Sequence, residues 1–125
     1  MAKTRTLRNL ITLQLRTTPG ETYHKNAPKD AAFPYKTFTL TSVAFPNTDR
    51  DDLDLEVDLW DRAPDPKTLE DIADQIEALF NAKIYPEPPI YPAFFRESRH
   101  DLEDPDKTLQ HIQLRFLVQL HETEE

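Results

Sequence analysis

The sequence predicts an α+β fold in which two helices pack on one face of a mainly antiparallel four-stranded sheet, in the order α-β-β-α-β-β. Two segments space their apolar residues three and four apart, as the buried stripe of a helix requires. Four others alternate apolar with polar residues or are rich in Thr and aromatic residues, as strands are. The length of 125 residues suits one domain, so we take residues 1–125 as a single unit.

The first predicted helix covers about residues 4–18 and ends at Pro19-Gly20. Its apolar stripe consists of Leu7, Leu10, Ile11 and Leu15. Lying mostly off that stripe are Arg5, Arg8 and Arg16. With Lys3 they are the only charged residues before Glu21, so the first twenty residues carry +4, and the net charge of −8 leaves −12 for the rest. We expect the positive face to be either solvated or in contact with an acidic surface, such as that of another copy.

The next two elements are strands, predicted at Tyr35–Val43 and Leu55–Trp60. In the second, apolar residues alternate with acidic ones and with Trp60, which is typical of an antiparallel sheet with one buried face. Trp60 then projects from the other face, as Leu117 does on the last strand. We expect either a partner or the segment at residues 84–92 to cover these two apolar side chains.

The second predicted helix runs from Pro66 to about Asn81. Its wide apolar stripe consists of Leu69, Ile72, Ala73, Ile76, Leu79 and Phe80. Two caps fit its start: Asp65 as N-cap with Pro66 as the first helical residue, or a capping box of Thr68 and Asp71.

Proline dominates the following segment, residues 84–92, where four of nine residues are proline. Because proline has no N–H to donate to a ladder, we expect an extended, polyproline-like crossover there. A C-terminal β-hairpin is predicted at residues 93–121, with its turn at Glu103–Lys107.

Two arginines, Arg96 and Arg99, stand out on the first strand of that hairpin. Simple alternation places Arg96 on the face of Phe94 and Ser98, and Arg99 on the opposite face. We expect each to pair with a carboxylate, within the chain or across an interface, with anion binding as the alternative.

Catalytic and cofactor sites lack the residues they require. The chain has no cysteine and a single glycine, Gly20, which excludes thiolate metal sites, cysteine nucleophiles and Gly-rich phosphate loops. The candidates for acid–base chemistry are His24, His100, His111 and His121. His100 and Asp101 are neighbours on a strand and point to opposite faces, so they form no direct dyad. We expect no catalytic, metal or cofactor site.

An acidic run begins before the second strand and continues into it. Its members are Asp49, Asp51, Asp52, Asp54, Glu56 and Asp58. Oxygen-rich loops bind calcium, but this run lacks the glycine and terminal glutamate of a calcium-binding loop. A solvated loop followed by the outer face of a strand is the better interpretation.

Hydropathy and net charge indicate which environments and partners the protein is expected to have. No apolar stretch approaches the roughly 18 residues of a membrane span, and the basic start lacks the apolar core of a secretory signal, so we expect a cytoplasmic chain without a membrane. The net charge of −8 argues against sequence-independent binding of nucleic acid.

Several short motifs follow one another along the chain: Tyr23, Ala27-Pro28, Phe33-Pro34-Tyr35, Leu55–Trp60, Ile72–Ile76, Phe95–Arg99 and Asp104–Lys107. Together, across about residues 20–121, they resemble the small tail completion proteins of long-tailed phages and prophages, also called tail terminators or head–tail joining proteins. The proline-dense segment at residues 84–92 departs from the family pattern and is a candidate contact arm.

The resemblance implies a non-enzymatic virion protein of the tail–head junction, assembled in the host cytoplasm. Such a protein forms a homo-hexameric ring that stops polymerisation of the tail tube protein and offers a docking face to the head connector or stopper protein. DNA passes through this ring without specific binding.

Contacts around such a ring join two unlike patches of each subunit. Candidate interface residues are Arg5, Arg8, Arg16, Trp60, Arg96, Arg99 and Leu117. An acidic lumen would repel the phosphates of passing DNA. Its candidate residues are Asp49, Asp51, Asp52 and Asp54.

Other functions stay open at this point. One is a head-side connector or adaptor protein of the same neck, and another is a small cytoplasmic binding module. A small hydrolytic or metal-dependent enzyme would instead require a buried histidine with a carboxylate partner in a closed pocket.

Overall fold

A mixed six-stranded sheet carries the fold, with two α-helices packed against it. The computed structural model describes residues 2–43 and 51–122. In chain order the elements are α1 (Ala2–Leu15), β1 (Glu21–His24), β2 (Tyr35–Val43), β3 (Asp51–Arg62), α2 (Lys67–Phe80), β4 (Lys83–Ile84), β5 (Ile90–Leu102) and β6 (Leu109–Glu122). Across the sheet the order is β1-β2-β3-β6-β5-β4. Neighbouring strands are antiparallel except for β1 and β2, which are parallel.

The predicted four-stranded antiparallel sheet is wrong, because β1 and β4 extend it to six strands and β1 makes it mixed. β1 lies between the first predicted helix and the first predicted strand, where the sequence pattern predicts no regular element, and β4 lies at the start of the proline-rich segment. They have only four and two residues, too few for an alternating pattern to be visible in the sequence. Both occupy edges of the sheet, where a strand has one neighbour instead of two.

β3 is longer than predicted, since it begins at Asp51 and not at Leu55. Its first residues alternate acidic side chains with leucine, and Leu53 is buried in the core. The acidic segment, whose composition predicts a solvated loop, is therefore in part a strand with an acidic outer face.

Both helices pack their apolar stripes into one core with one face of the sheet, the core face. The helical members of this core are Leu7, Ile11, Leu15, Leu69, Ile72, Ala73, Ile76 and Phe80. The sheet contributes Phe38, Leu53, Leu55, Val57, Leu59, Ile90, Phe94, Ile112, Leu114, Phe116, Val118 and Leu120. α2 begins at Lys67 with Pro66 as its N-cap and without a side-chain cap hydrogen bond, so neither predicted cap is confirmed. Asp65 lies one residue before the N-cap, where its Oδ1 accepts a 3.0 Å hydrogen bond from the Lys67 N–H.

The proline-rich segment forms a tight hairpin instead of the expected polyproline-like crossover. The Tyr85 N–H donates to the Pro92 carbonyl at 3.0 Å, and Glu87 and Ile90 exchange two hydrogen bonds of 2.9 Å. Pro88 and Pro89 form the tip. The prolines occupy positions where the hairpin needs no N–H donor. A proline-rich sequence can therefore still form the hydrogen bonds of a hairpin. We call residues 83–94 the proline hairpin.

One buried lysine ties the end of α1 to the sheet. Lys36 is only 1% exposed, and its Nζ donates to the carbonyls of Gly20 at 2.8 Å and Pro19 at 3.1 Å. Burial lowers the pKa of Lys36 to about 8. Gly20 has φ +91°, and a Cβ there would lie 2.7 Å from the Pro34 carbonyl oxygen, so the turn after α1 requires glycine.

Candidate interaction surface on the open face of the sheet

The face of the sheet opposite the core, which we call the open face, carries a row of aromatic rings across four neighbouring strands. Tyr35 of β2 pairs in register with Trp60 of β3, and Trp60 pairs with His111 of β6. The Trp60 and His111 rings are stacked with centroids 3.6 Å apart, and Tyr35 lies 6.5 Å from Trp60. Tyr23 of β1 completes the row, 6.1 Å from Tyr35. Trp60 therefore lies on the face that its place in the alternation predicts.

A shallow cleft opens beside the middle of this row, and we call it the aromatic cleft. It has a volume of about 200 Å³ and is lined by Lys25, Asn26, Ala27, Tyr35, Thr37 and Trp60. The loop after β1 forms its outer wall, because the Lys25 N–H bonds to the Phe38 carbonyl at 2.9 Å and holds that loop against β2. Phe33 packs beside it, 5.3 Å from Tyr35 and 5.4 Å from the guanidinium carbon of Arg62.

Below the aromatic row runs a network of acidic side chains. His111 Nε2 lies 2.8 Å from Asp58 Oδ1, and Gln113 donates to the same oxygen at 3.2 Å. Burial alone would raise the pKa of Asp58. Hydrogen bonds from His111, Glu56 and Gln113 outweigh that effect and hold the pKa of Asp58 below its usual range. Burial and the neighbouring Asp58 raise the pKa of Glu56, which also pairs with Arg115 at 2.9 Å.

A second carboxyl pair lies further along the open face, where Asp54 meets Glu97. Burial and the Asp54 carboxylate raise the pKa of Glu97. Leu117 is half-buried between Asp54 and Phe95, its neighbours in register, and Phe95 is 41% exposed. This end of the open face thus combines acidic groups with exposed apolar surface.

Arg96 and Arg99 lie on the same face, contrary to the simple alternation. A bulge between Arg96 and Ser98 places Arg96 opposite Phe116 and Arg99 opposite Leu114, both on the core face. Arg96 pairs with Glu77 of α2 at 2.7 Å. Arg99 pairs with Asp74 at 2.6 Å and with Glu77 at 2.9 Å. The two arginines therefore hold α2 against β5, which is the expected carboxylate pairing within the chain.

The basic side chains of the first helix point away from the core. Arg5 and Arg16 are exposed, and Arg8 is half-buried. Burial and then the charge of Arg8 lower the pKa of His24. Leu13 is 61% exposed on the same helix, so α1 offers an apolar side chain together with its positive charges.

The acidic residues predicted to line a lumen are only partly described by the structure. Asp49 and the side chain of Asp51 lie outside the described residues. Asp52 is only 5% exposed in the single chain, and Asp54 is half-buried beside Glu97. Of the four predicted residues, Asp54 is thus the one that the structure shows on the accessible part of the open face.

His111 and Asp58 form a histidine–carboxylate pair that the sequence could not reveal, because 53 residues separate them. They meet because β3 and β6 are neighbours and Asp58 lies two residues from Trp60, the register partner of His111, on the same face of β3. The pair lies under Trp60 on the open face, where its hydrogen bond fixes the imidazole against the indole ring. His100 is exposed, as is Asp101 on the opposite face of β5.

The described residues contain neither a candidate metal site nor a candidate membrane span. In residues 2–43 and 51–122 no group of three or more histidine and acidic side chains is arranged to hold a metal ion. None of the helices described is long and apolar enough to cross a membrane. A larger cleft of about 520 Å³ lies at the turn between β5 and β6. It is lined by Pro66, Asp101, Leu102, Glu103, Asp104, Lys107, Leu109 and Gln110.

Comparison with known proteins gives one family and a shared fold. The family model described as "Tail completion protein gp17" matches residues 8–120. A solved structure described as "Virion of native gene transfer agent (GTA) particle" has a TM-score of 0.67 at 12% identity, covering 93% of this chain and 89% of the other. A second solved structure has a TM-score of 0.73 at 12% identity over 98% of each chain. No curated protein sequence matches the chain.

Proposed function

The chain belongs to the tail completion protein gp17 family, whose members are structural proteins of phage tails, and from this membership we propose that it caps the tail tube as a homo-hexameric ring. The ring stops polymerisation of the tail tube protein at the head-proximal end and offers a docking face to the head connector. The match over residues 8–120 is the observation that carries this proposal, because it includes α2, the second half of α1 and every strand except the last two residues of β6. The fold shared with a chain of a gene transfer agent particle supports a place in a particle.

The charge distribution supports head-to-tail contacts between copies. A closed ring needs two unlike patches on each subunit. Arg5 of α1 and Arg16, the residue after α1, are exposed, whereas the open face carries Asp54, Glu56 and Glu97. We assign Trp60 and Leu117 of the open face and the arginines of α1 to such contacts. Arg96 and Arg99 support them indirectly, by holding α2 in place.

The two proposed uses of the open face, subunit contact and lumen, fall at different ends of β3. Trp60 and Asp54 are six residues apart, which is roughly 20 Å along a strand. In our proposal the aromatic end meets the neighbouring copy and Asp54 faces the lumen, and Leu117, which pairs in register with Asp54, lies where the subunit contact borders the lumen. Negative charge there repels DNA phosphates, so the genome passes without specific binding.

Assembly takes place in the host cytoplasm in this proposal, and the finished ring stays in the virion at the tail–head junction. Its partners are the tail tube protein on one side and the head connector or stopper protein on the other. In this proposal the protein has a structural role between these two partners and needs no cofactor.

Light scattering of the purified protein, alone and with tail tubes, tests the ring. We expect a mass six times the 14.6 kDa of one chain, either in the free protein or on the tube ends. Electron microscopy of tubes grown with and without the protein then measures their length, and added protein should stop growth. A chain that stays monomeric and leaves tube length unchanged contradicts the proposal. Binding to isolated head connectors without binding to tubes would instead support a connector-side adaptor.

A further inference from the structure

We propose that the proline hairpin of one copy docks in the aromatic cleft of the next copy around the ring. The inference rests on the proposed ring and names the two surfaces that meet in it. Its occupant is a segment of a second copy of this chain, the hairpin tip at Pro88 and Pro89 with the adjoining Pro86 and Glu87. Four observations support this assignment: the shape of the hairpin, the chemistry of the cleft, their places on the sheet, and their charges.

The proline hairpin is an apolar projection held firmly at its base. Tyr85 points to the core side, where it packs against Phe80 and Phe94, and its hydroxyl donates to the Leu79 carbonyl. Ile84, on the other side of the hairpin, is 65% exposed. Pro86 and Pro88 are exposed as well. Proline fixes its own φ, so the tip loses little conformational entropy when a partner binds it.

The aromatic cleft has the chemistry that recognises proline. In several peptide-binding domains proline-rich segments in the polyproline II conformation dock on grooves lined by aromatic rings. The proline hairpin does not have that conformation, but it presents exposed proline rings that can pack on aromatic rings in the same way. Here Tyr35 and Trp60 form such a floor, and Thr37 and Asn26 add polar groups. The cleft volume of about 200 Å³ is below the ≈ 300–1,000 Å³ of pockets for drug-sized ligands. It suits the tip of a turn better than a cofactor or substrate.

The positions of hairpin and cleft favour contact between copies over contact within one chain. The cleft lies at β2 and β3, whereas β4 is at the far edge of the sheet. From β2 to β4 there are four strand spacings, roughly 19 Å in total. Ala93 lies on the open face of β5, so its register partner Ile84 lies on the open face as well. The proline hairpin and the aromatic cleft therefore open on the same face of the sheet. Such a contact is heterologous, and repeated copies can close into a ring.

The charges at the two surfaces are complementary. Glu87 is exposed at the hairpin tip, and Lys25 is exposed at the rim of the cleft. An ion pair at such a rim contributes little affinity, but it fixes the orientation of the partner. The hairpin tip is therefore expected to enter the cleft with Glu87 towards Lys25.

Disulfide trapping tests this contact directly, because the chain has no cysteine of its own. We combine Lys25→Cys with Glu87→Cys in the full chain, assemble it on tail tubes and oxidise it. The expected result is a ladder of cross-linked chains that reaches six on a non-reducing gel. Either single variant should give no ladder. A matched pair, Lys25→Cys with Lys107→Cys, keeps two exposed cysteines but moves one to the β5–β6 turn, and it should also give none.

Charge reversal adds a second measurement that does not depend on cysteine chemistry. Glu87→Lys alone and Lys25→Glu alone should each raise the concentration for half-assembly about two- to fivefold, as loss of an exposed ion pair does. The double variant should restore it. Both positions are exposed, and thermal melts of the free chains check that each variant folds.

The outcomes separate this inference from the proposed function. Rings that assemble on tubes without cross-links, and with no effect of charge reversal, overturn the hairpin contact and leave the ring standing. A cross-linked species that stops at two chains also overturns it, because it indicates a closed symmetric pair. A chain that never assembles on tubes overturns the ring itself, and the hairpin contact with it.

Discussion

Replacing Trp60 by alanine separates the contribution of the open face to assembly from its contribution to folding. Trp60 is half-exposed, and its main contact within the chain is the stack on His111 at 3.6 Å. An aromatic pair contributes about 0.5–1.5 kcal/mol beyond the area it buries. We expect Trp60→Ala to lower the free energy of unfolding by about 1–2 kcal/mol. Truncating a fully buried aromatic residue costs more, about 3–5 kcal/mol.

The expected loss in assembly is larger. An aromatic residue at the centre of an interface typically contributes at least about 2 kcal/mol to each contact. That corresponds to roughly a 30-fold rise in the dissociation constant of one contact. Because every copy in a ring makes the same contact, Trp60→Ala should abolish rings at concentrations that keep the unchanged protein assembled.

Two measurements on the same samples test this prediction. Urea unfolding is followed by circular dichroism, since the variant lacks the only tryptophan, and light scattering with tail tubes reports assembly. Leu102→Ala is the matched control, because Leu102 is also exposed on the open face but lies two strands away from Trp60 and does not line the cleft. Phe80→Ala, in the core, should show the reverse, a large loss of stability. A folded Trp60→Ala chain that assembles as well as the unchanged protein would refute the assignment of Trp60 to a subunit contact.

Three further predictions concern the fold. Ile76→Asp should leave the chain unfolded by circular dichroism, because it places an unpaired charge at a fully buried position; a cooperative urea transition would contradict this. Lys36→Met should lower stability by about 1–3 kcal/mol at pH 7, because carbonyls at the end of α1 lose their donor. The pKa of Lys36 is about 8 in the folded protein and near 10.5 in the unfolded chain. The free energy of unfolding of the unchanged protein should therefore rise between those two pH values, whereas that of Lys36→Met should not, and parallel urea titrations check this. Arg99→Ala should cost about 1–2 kcal/mol in urea unfolding, and Arg62→Ala, whose pair is exposed, less than about 1 kcal/mol; equal losses would contradict the structural role of Arg99.

The sequence is most informative where burial repeats along the chain. β2 has the predicted bounds, and the apolar stripes of both helices lie in the core, because each pattern is long enough to show its period. The edge strands β1 and β4 are too short for any period, and each forms only because a longer neighbour presents a free edge. The four-stranded antiparallel prediction fails for that reason.

The surface was harder to predict, because its contacts depend on strand register. The bulge after Arg96 shifts Arg99 to the core face, and alternation alone places Arg99 on the other one. The contact between His111 and Asp58 requires β6 to lie beside β3 in the sheet. The periodicity of apolar residues within a strand does not predict which strands are neighbours. Trp60 was predicted on the open face because that assignment needs only the local alternation of β3.

The edges of the sheet constrain how copies can meet. An exposed edge strand can join a strand of a neighbouring molecule through backbone hydrogen bonds, and natural sheets prevent this by keeping edge strands short. β1 and β4 have four and two residues, so they offer few backbone groups for such pairing. Asn81 also occupies the edge beyond β4, where its side-chain oxygen accepts a hydrogen bond from the Arg96 N–H at 3.1 Å. On the outer side of β2 at residues 39–43 and of β5 at residues 97–102 no described strand pairs, so backbone pairing between copies is left to those two stretches, and the other contacts fall to side chains. The described edges of the sheet end in two features that offer them: the aromatic cleft beside β1 and β2, and the proline hairpin beside β5.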